Sequence, residues 1–227
     1  MKLKLSWQYF IAIIPLIFIM GETHELAHTT AGRLICGCWG QRDFNVWGLC
    51  SGCKDMYPVL SLFPTFIGPI YSFAIVWIGY YLLGEKKSKK SKIWGMTLVL
   101  TNILFARILT SLMASGDEVY GLRKVFDSTY LAWIIGALIV LLLSVPPLIR
   151  VYKVIANKNK GRWMTAALIL PFLSVILFAV PLNMLLKSGF LNEVWIMGSP
   201  KLVTFWFFLS LIAFLISYKY IIRLKAK

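Results

Sequence analysis

The stretch Phe10–Arg33, FIAIIPLIFIMGETHELAHTTAGR, decides how this chain reads. Its first half is apolar enough to enter a bilayer. Its second half places Glu22, His24, Glu25 and His28 directly behind that apolar run. Ionisable groups at membrane depth are costly, and they default to functional roles. Either these four sit at a soluble edge and mean little, or they hold something. The rest of the chain favours a membrane setting. Of 227 residues, 59% are apolar and only 15% are charged, whereas about a quarter are charged in a soluble domain. The formal net charge of +15 comes from cations clustered between apolar runs. That pattern reports membrane orientation rather than nucleic-acid binding.

A spanning helix needs about 20 mostly apolar residues. Six runs qualify: Leu5–Ala27, Tyr57–Leu83, Ile93–Ala114, Tyr130–Ile149, Trp163–Leu186 and Leu202–Ile222. Trp7, Tyr57, Trp94, Tyr130, Trp163 and Tyr218 mark ends, as an interfacial belt does. Prolines inside the runs are compatible with kinked membrane helices. The expected fold is an all-α integral membrane domain over 1–227, with 1–128 as a core and 129–227 as three additional helices. Sixteen of the 24 Lys and Arg fall at the two chain ends and in the second and fourth loops. By the positive-inside rule both termini are expected in the cytoplasm, with the Glu/His stretch at the extracytoplasmic side of a cell membrane. The first run follows two lysines as a secretory signal does. It lacks a clean small-residue cleavage site, so an uncleaved first span is expected.

His24-Glu25-Leu26-Ala27-His28 is an H-E-x-x-H motif. On a helix, positions i and i+4 share one face, so both imidazoles can reach one zinc ion. Glu25 then flanks the metal as a general base. A short motif can arise by chance, and a histidine near a helix end is commonly only solvated. This chain, however, has two histidines in all and nine acidic residues. Both histidines fall in the motif, which weighs against accident. No third histidine exists to complete a site, so a carboxylate or cysteine must. Glu22 points to another face of the same helix. Asp117 is the favoured third ligand; Glu118 is its alternative, or a partner to a second-layer donor. Spans one and three run in the same direction, which places "GDE" and the motif at similar depth. Taken alone, "GDE" also reads as an ordinary polar helix exit.

The longer string His24–Arg33 resembles the site-2 protease family of intramembrane zinc metalloproteases. Gly68-Pro69 followed by Ser72 is similar to that family's Gly-Pro-x-x-Asn element, with Ser at the Asn position. The third core element departs: "SGDEVYG" has no Asn-x-x-Pro before the Asp and no Gly directly after it. The resemblance covers spans one to three. It implies one catalytic zinc held by His24, His28 and an Asp, with Glu25 as base. The implied substrate is a membrane protein segment, or a peptide next to the bilayer, unwound for attack and held extended by β-addition.

All four cysteines, Cys36, Cys38, Cys50 and Cys53, lie between spans one and two. An extracytoplasmic loop favours disulfides; the C-x-C and C-x-x-C spacing also suits a structural metal, and free thiols are the third option. Four cysteines allow three pairings, and the sequence does not choose among them. "RDFNVWGL" alternates enough for a short strand beside His28. Asn102 and Arg107 lie in span three. Arg107 is ten residues before Asp117, about 15 Å along a helix, too far for direct pairing. It is expected to face an interior cavity or to snorkel. The leading function is a zinc-dependent endopeptidase cutting in or next to the lipid bilayer, with no nucleic-acid partner. The alternatives are a membrane zinc hydrolase acting on a lipid or lipid-linked peptide, and a non-catalytic metal-binding scaffold.

Overall fold

A computed structural model describes residues 2–226. Among them, six helical segments are long and apolar enough to cross a membrane. Many of their outward side chains are bare: Ile11, Leu142, Leu177, Leu209 and Ile216 are all exposed. Apolar surface on this scale suits lipid, not water. The protein is therefore a predominantly helical integral membrane protein of the all-α class.

Strand β1 (Leu3–Lys4) leads into α1 (Trp7–Cys36). The Ser6 side chain caps α1 by accepting from Tyr9 N–H. Thirty residues make a helix about 45 Å long, more than the roughly 30 Å of a hydrocarbon core. Counted from Trp7, His24 and His28 stand about 26 and 32 Å along the axis, near the far boundary. The helix thus runs well past the Ala27 boundary expected from hydropathy, and it carries the whole motif in regular geometry. A disulfide-pinned loop follows, with the short α2 (Cys53–Met56). Then come α3 (Phe63–Leu82) and α4 (Lys89–Thr101).

The third span is not one helix. It breaks at Asn102–Ile103, where Ile103 takes a left-handed backbone (φ 50°), and resumes as α5 (Leu104–Leu112). A β-branched residue there is an outlier, and no periodicity signals it. The chain then reverses through Met113–Gly116. Gly116, at φ 92°, supplies a conformation that side chains rarely adopt. It returns as α6 (Asp117–Val125), followed by α7 (Thr129–Val154), α8 (Lys160–Lys187) and α9 (Lys201–Ile222). A hairpin of β2 (Val194–Ile196) and β3 (Ser199–Pro200) joins the last two helices, and β4 (Lys225–Ala226) pairs antiparallel with β1.

The core sits at the end away from the motif. Tyr9, Phe10 and Ile13 of α1 meet Val76, Met96 and Val99 of α3 and α4, all fully buried. At that end Asn157 holds the entering chain, accepting from Leu5 N–H at 2.8 Å and donating to Leu5 carbonyl at 3.1 Å.

The cysteine loop is a cross-linked cap. Cys36 pairs with Cys53 and Cys38 with Cys50, so among the described residues no cysteine is free. Segment 42–49 does not form the expected strand. One antiparallel bridge, Arg42 to Trp47, closes a tight turn, and Asp43 accepts from the Asn45 and Val46 N–H groups inside it. Local Asp-turn bonding thus replaces a strand ladder. Arg42 anchors this cap. Its Nη1 meets Glu22 Oε2 at 2.6 Å and its Nε donates to Ser199 Oγ at 2.7 Å, with all three residues buried. Removing one partner of a buried ion pair strands the other charge. Arg42→Ala is therefore expected to destabilise by about 3–5 kcal/mol. The measurement is the thermal midpoint in detergent, where Arg42→Ala combined with Glu22→Met should lose less than Arg42→Ala alone.

Candidate metal centre

Helix α1 presents His24 and His28 one turn apart, with ring planes at 87° and ring centroids 4.7 Å apart. Their Nε2 atoms lie 3.1 Å apart. Asp117, at the first turn of α6, brings Oδ2 to 3.1 Å from His24 Nε2 and 3.4 Å from His28 Nε2. Two imidazoles and one carboxylate so converge on one point, as a group that could hold a metal ion. Burial pushes the Asp117 carboxyl up, but its contacts with the two imidazoles outweigh burial and hold it below the usual carboxylate range.

Each ring is fixed from behind. His28 Nδ1 donates to the Pro64 carbonyl at 2.6 Å, leaving the Nε2 lone pair facing the centre. Its ring is packed on both faces. Trp47 stacks at 4.6 Å and 8°. On the other side a Cβ at Gly68 would lie 2.1 Å from Nε2 and 2.5–2.6 Å from the two adjoining carbons. Those near-equal distances put position 68 over the ring face, where only glycine fits. His24 Nδ1 lies 2.9 Å from Ser72 Oγ; in the tautomer that ligation requires, Nδ1–H donates to Ser72 and the Nε2 lone pair turns inward. Fixing the remote nitrogen in this way sets the tautomer and aim of a ligating histidine.

Arg107 lines the interior cavity, one of the two positions expected for it, but its distance from the "GDE" segment is far shorter than expected. It neither snorkels nor stands 15 Å away. The α5 helix ends before Asp117 and the chain doubles back, so distance along a straight helix does not apply. Arg107 Nη1 donates to Glu118 Oε1 at 3.0 Å; Nη2 donates to Ser72 Oγ at 3.1 Å and lies 2.9 Å from His24 Nδ1. One guanidinium thus joins α1, α3 and α6. Glu118 faces Arg107 and does not belong to the donor triangle. Asn102 lines the same cavity and donates to the Leu98 carbonyl. The four cysteines lie outside the donor group.

Glu25 is buried and also lines the cavity. Its Oε2 has no hydrogen-bond partner among the described residues. An unpartnered buried carboxylate oxygen is expensive unless something occupies its cavity. That cavity, of about 270 Å³, is walled by α1, α5 and α8, with Phe172, Val175 and Ala179 contributed by span five.

No family model, no curated protein and no solved structure matches this chain. The site stands on its own geometry.

Two substitutions test that geometry. Gly68→Ala drives a methyl into the His28 ring face and should lower divalent-metal retention at least tenfold, by metal analysis after dialysis. Arg107→Gln should lower it less, by roughly tenfold or under. Arg107→Lys, which keeps the charge but loses the fork, should recover only part of the loss.

Proposed function

We propose that the protein is a zinc-dependent endopeptidase embedded in the membrane, cutting a peptide bond in or next to the bilayer. The observation that carries this reading is the triangle of His24 Nε2, His28 Nε2 and Asp117 Oδ2 with sides of 3.1–3.4 Å, beside the unpartnered Glu25 carboxylate. Tetrahedral zinc with bonds of about 2.0–2.1 Å places its ligands about 3.3 Å apart. The donors fit that requirement. Three protein ligands leave a fourth position open, which distinguishes catalytic from structural zinc. The spacing also argues against calcium, which takes six or more oxygen ligands at longer range.

Zinc in this position supplies Lewis acidity to the scissile carbonyl and lowers the pKa of water. The chain's own residues do the rest. Glu25 lines the cavity and its Oε2 has no hydrogen-bond partner among the described residues, so the carboxylate can take the proton of the attacking water and later deliver it to the departing amine. Ser72, Pro64 and Trp47 hold the two rings against rotation during these steps. Span five and Phe44 narrow the cavity around the reacting atoms and restrict water, which strengthens each electrostatic contact.

The resemblance to site-2 proteases supports the same reading. Its two matched elements meet in space, with Gly68 against His28 and Ser72 against His24. The departing third element still delivers an Asp, by chain reversal into α6. A purely structural site would have no use for a buried carboxylate left unpaired beside it. The cation-rich loops and chain ends support a cytoplasmic placement for the face opposite the site.

The test is zinc analysis of purified protein. The wild type is expected to hold close to one zinc per chain. Glu25→Gln should keep the zinc and lose hydrolysis by at least about 10²-fold. Asp117→Asn should lose zinc affinity and activity together. A wild type that holds no zinc at saturating supply, or a Glu25→Gln protein as active as wild type, refutes the reading.

A further inference from the structure

The donor triangle stands where two spaces join. Asn45 and Asp117 line both the 270 Å³ cavity and a second space of about 600 Å³ beneath Trp47. The first, inner space is walled mainly by apolar side chains of the spans, including Ile17, Phe18, Phe172 and Val175. The second, outer space lies largely beyond the span ends, bounded by segment 45–49, α2 and α6. Two lysines line it from different elements, Lys54 on α2 and Lys124 on α6. Both are exposed, and Lys124 sits over the Tyr120 ring at 5.4 Å. Asp117 is the one carboxylate among the described residues lining this outer space.

We infer that the site takes a peptide crossing the membrane boundary, with apolar residues on one side of the cut in the inner space and acidic residues on the other side between Lys54 and Lys124. The inference rests on the peptidase reading and adds the substrate class to it. With the Asp117 charge engaged by the metal, the outer space presents two uncompensated cations. Charge of one sign in a cleft with low-dielectric walls attracts the opposite charge and repels its own. Lysine is a flexible point charge rather than a rigid fork, so Asp and Glu should serve alike. A peptide fits better than a lipid. The inner space is at the small end of ligand pockets, which run about 300–1,000 Å³, and suits a few apolar side chains rather than a pair of acyl chains. Residues Asn45 to Leu49 form one wall of the outer space, alongside which an extended segment can lie.

The experiment measures binding, with cleavage disabled. Zinc-loaded Glu25→Gln protein in nanodiscs is titrated with fluorescent peptides that share a Leu/Ala half. The other half carries Asp and Glu, Asn and Gln, or Lys, and each peptide is made in both chain directions. In one direction the acidic peptide should bind roughly fivefold tighter than the neutral one, as two exposed ion pairs allow, with the lysine peptide weakest. The gap should shrink as salt rises, because exposed charges are screened. Paired Lys54→Gln and Lys124→Gln should abolish the preference, and paired Lys54→Glu and Lys124→Glu should invert it. Unchanged zinc content and thermal midpoint serve as the check on folding. Equal affinities, or a preference indifferent to the lysines, overturn the inference and leave the peptidase reading intact. Charge-selective binding by a protein that holds no zinc supports the groove and overturns the peptidase reading instead. Hydrolysis of phosphatidylglycerol vesicles by the wild type, with no peptide binding by Glu25→Gln, overturns the inference in favour of a lipid substrate.

Discussion

Four ionisable side chains on one membrane helix must all be satisfied without water, and the rest of the structure follows from that constraint. Glu22, His24, Glu25 and His28 are each less than a tenth exposed. A buried polar group left unpaired costs several kcal/mol in an apolar setting. Three of the four have protein partners, drawn from different parts of the chain. Glu22 has Arg42 from the cysteine cap. His24 has Ser72 from α3. His28 has the Pro64 carbonyl. The fourth, Glu25, keeps an oxygen without a partner among the described residues, in a residue that lines the cavity beside the donor triangle. Among these four side chains it is the single exception.

The same constraint explains why the third span is broken. An unbroken helix through Ile93–Ala114 would carry "GDE" straight on along its axis. The kink at Asn102–Ile103 and the reversal at Met113–Gly116 fold α6 back, so that Asp117 reaches the histidines while Glu118 reaches Arg107. Adjacent carboxylates therefore take different work, one facing the donor triangle and the other holding a guanidinium. Irregular backbone at membrane depth is tolerated where it is buried in protein or lines a cavity. Asn102 and Ile103 line this one.

What the sequence discloses is set by the range of the interactions involved. The six spans depend on local composition, and the i, i+4 histidines on local geometry, so both can be read directly. The depth match between motif and "GDE" needs only the parity of spans, and Asp117 does lie against both histidines. Arg107 does line a cavity, as expected, but its straight-helix distance to Asp117 fails because the chain reverses at Met113–Gly116, and a helix exit in the sequence does not tell which way the chain turns. The disulfide pairing was illegible because it depends on how the loop closes in three dimensions. The strand over 42–49 failed for a different reason. Asp43 and Asn45 make short-range turn bonds that compete with ladder formation, and alternation alone does not weigh them.

The last three spans bear on the site more closely than their lack of any nameable motif suggests. Helix α8 supplies the cavity wall facing Glu25, and Ser199, at the start of the last span, bonds the arginine that fixes the cysteine cap. Asn183 of α8 also hydrogen-bonds Asn45, which lines both spaces at the donor triangle. A boundary near residue 128 is thus a boundary of motif density and not of structure. The first half carries the converging His24, His28 and Asp117, a group that could hold a metal ion and that only particular residue types can form. The second half holds the shape around them, which many apolar sequences satisfy equally. Function here is legible where chemistry restricts the choice of residue, and silent where only volume does.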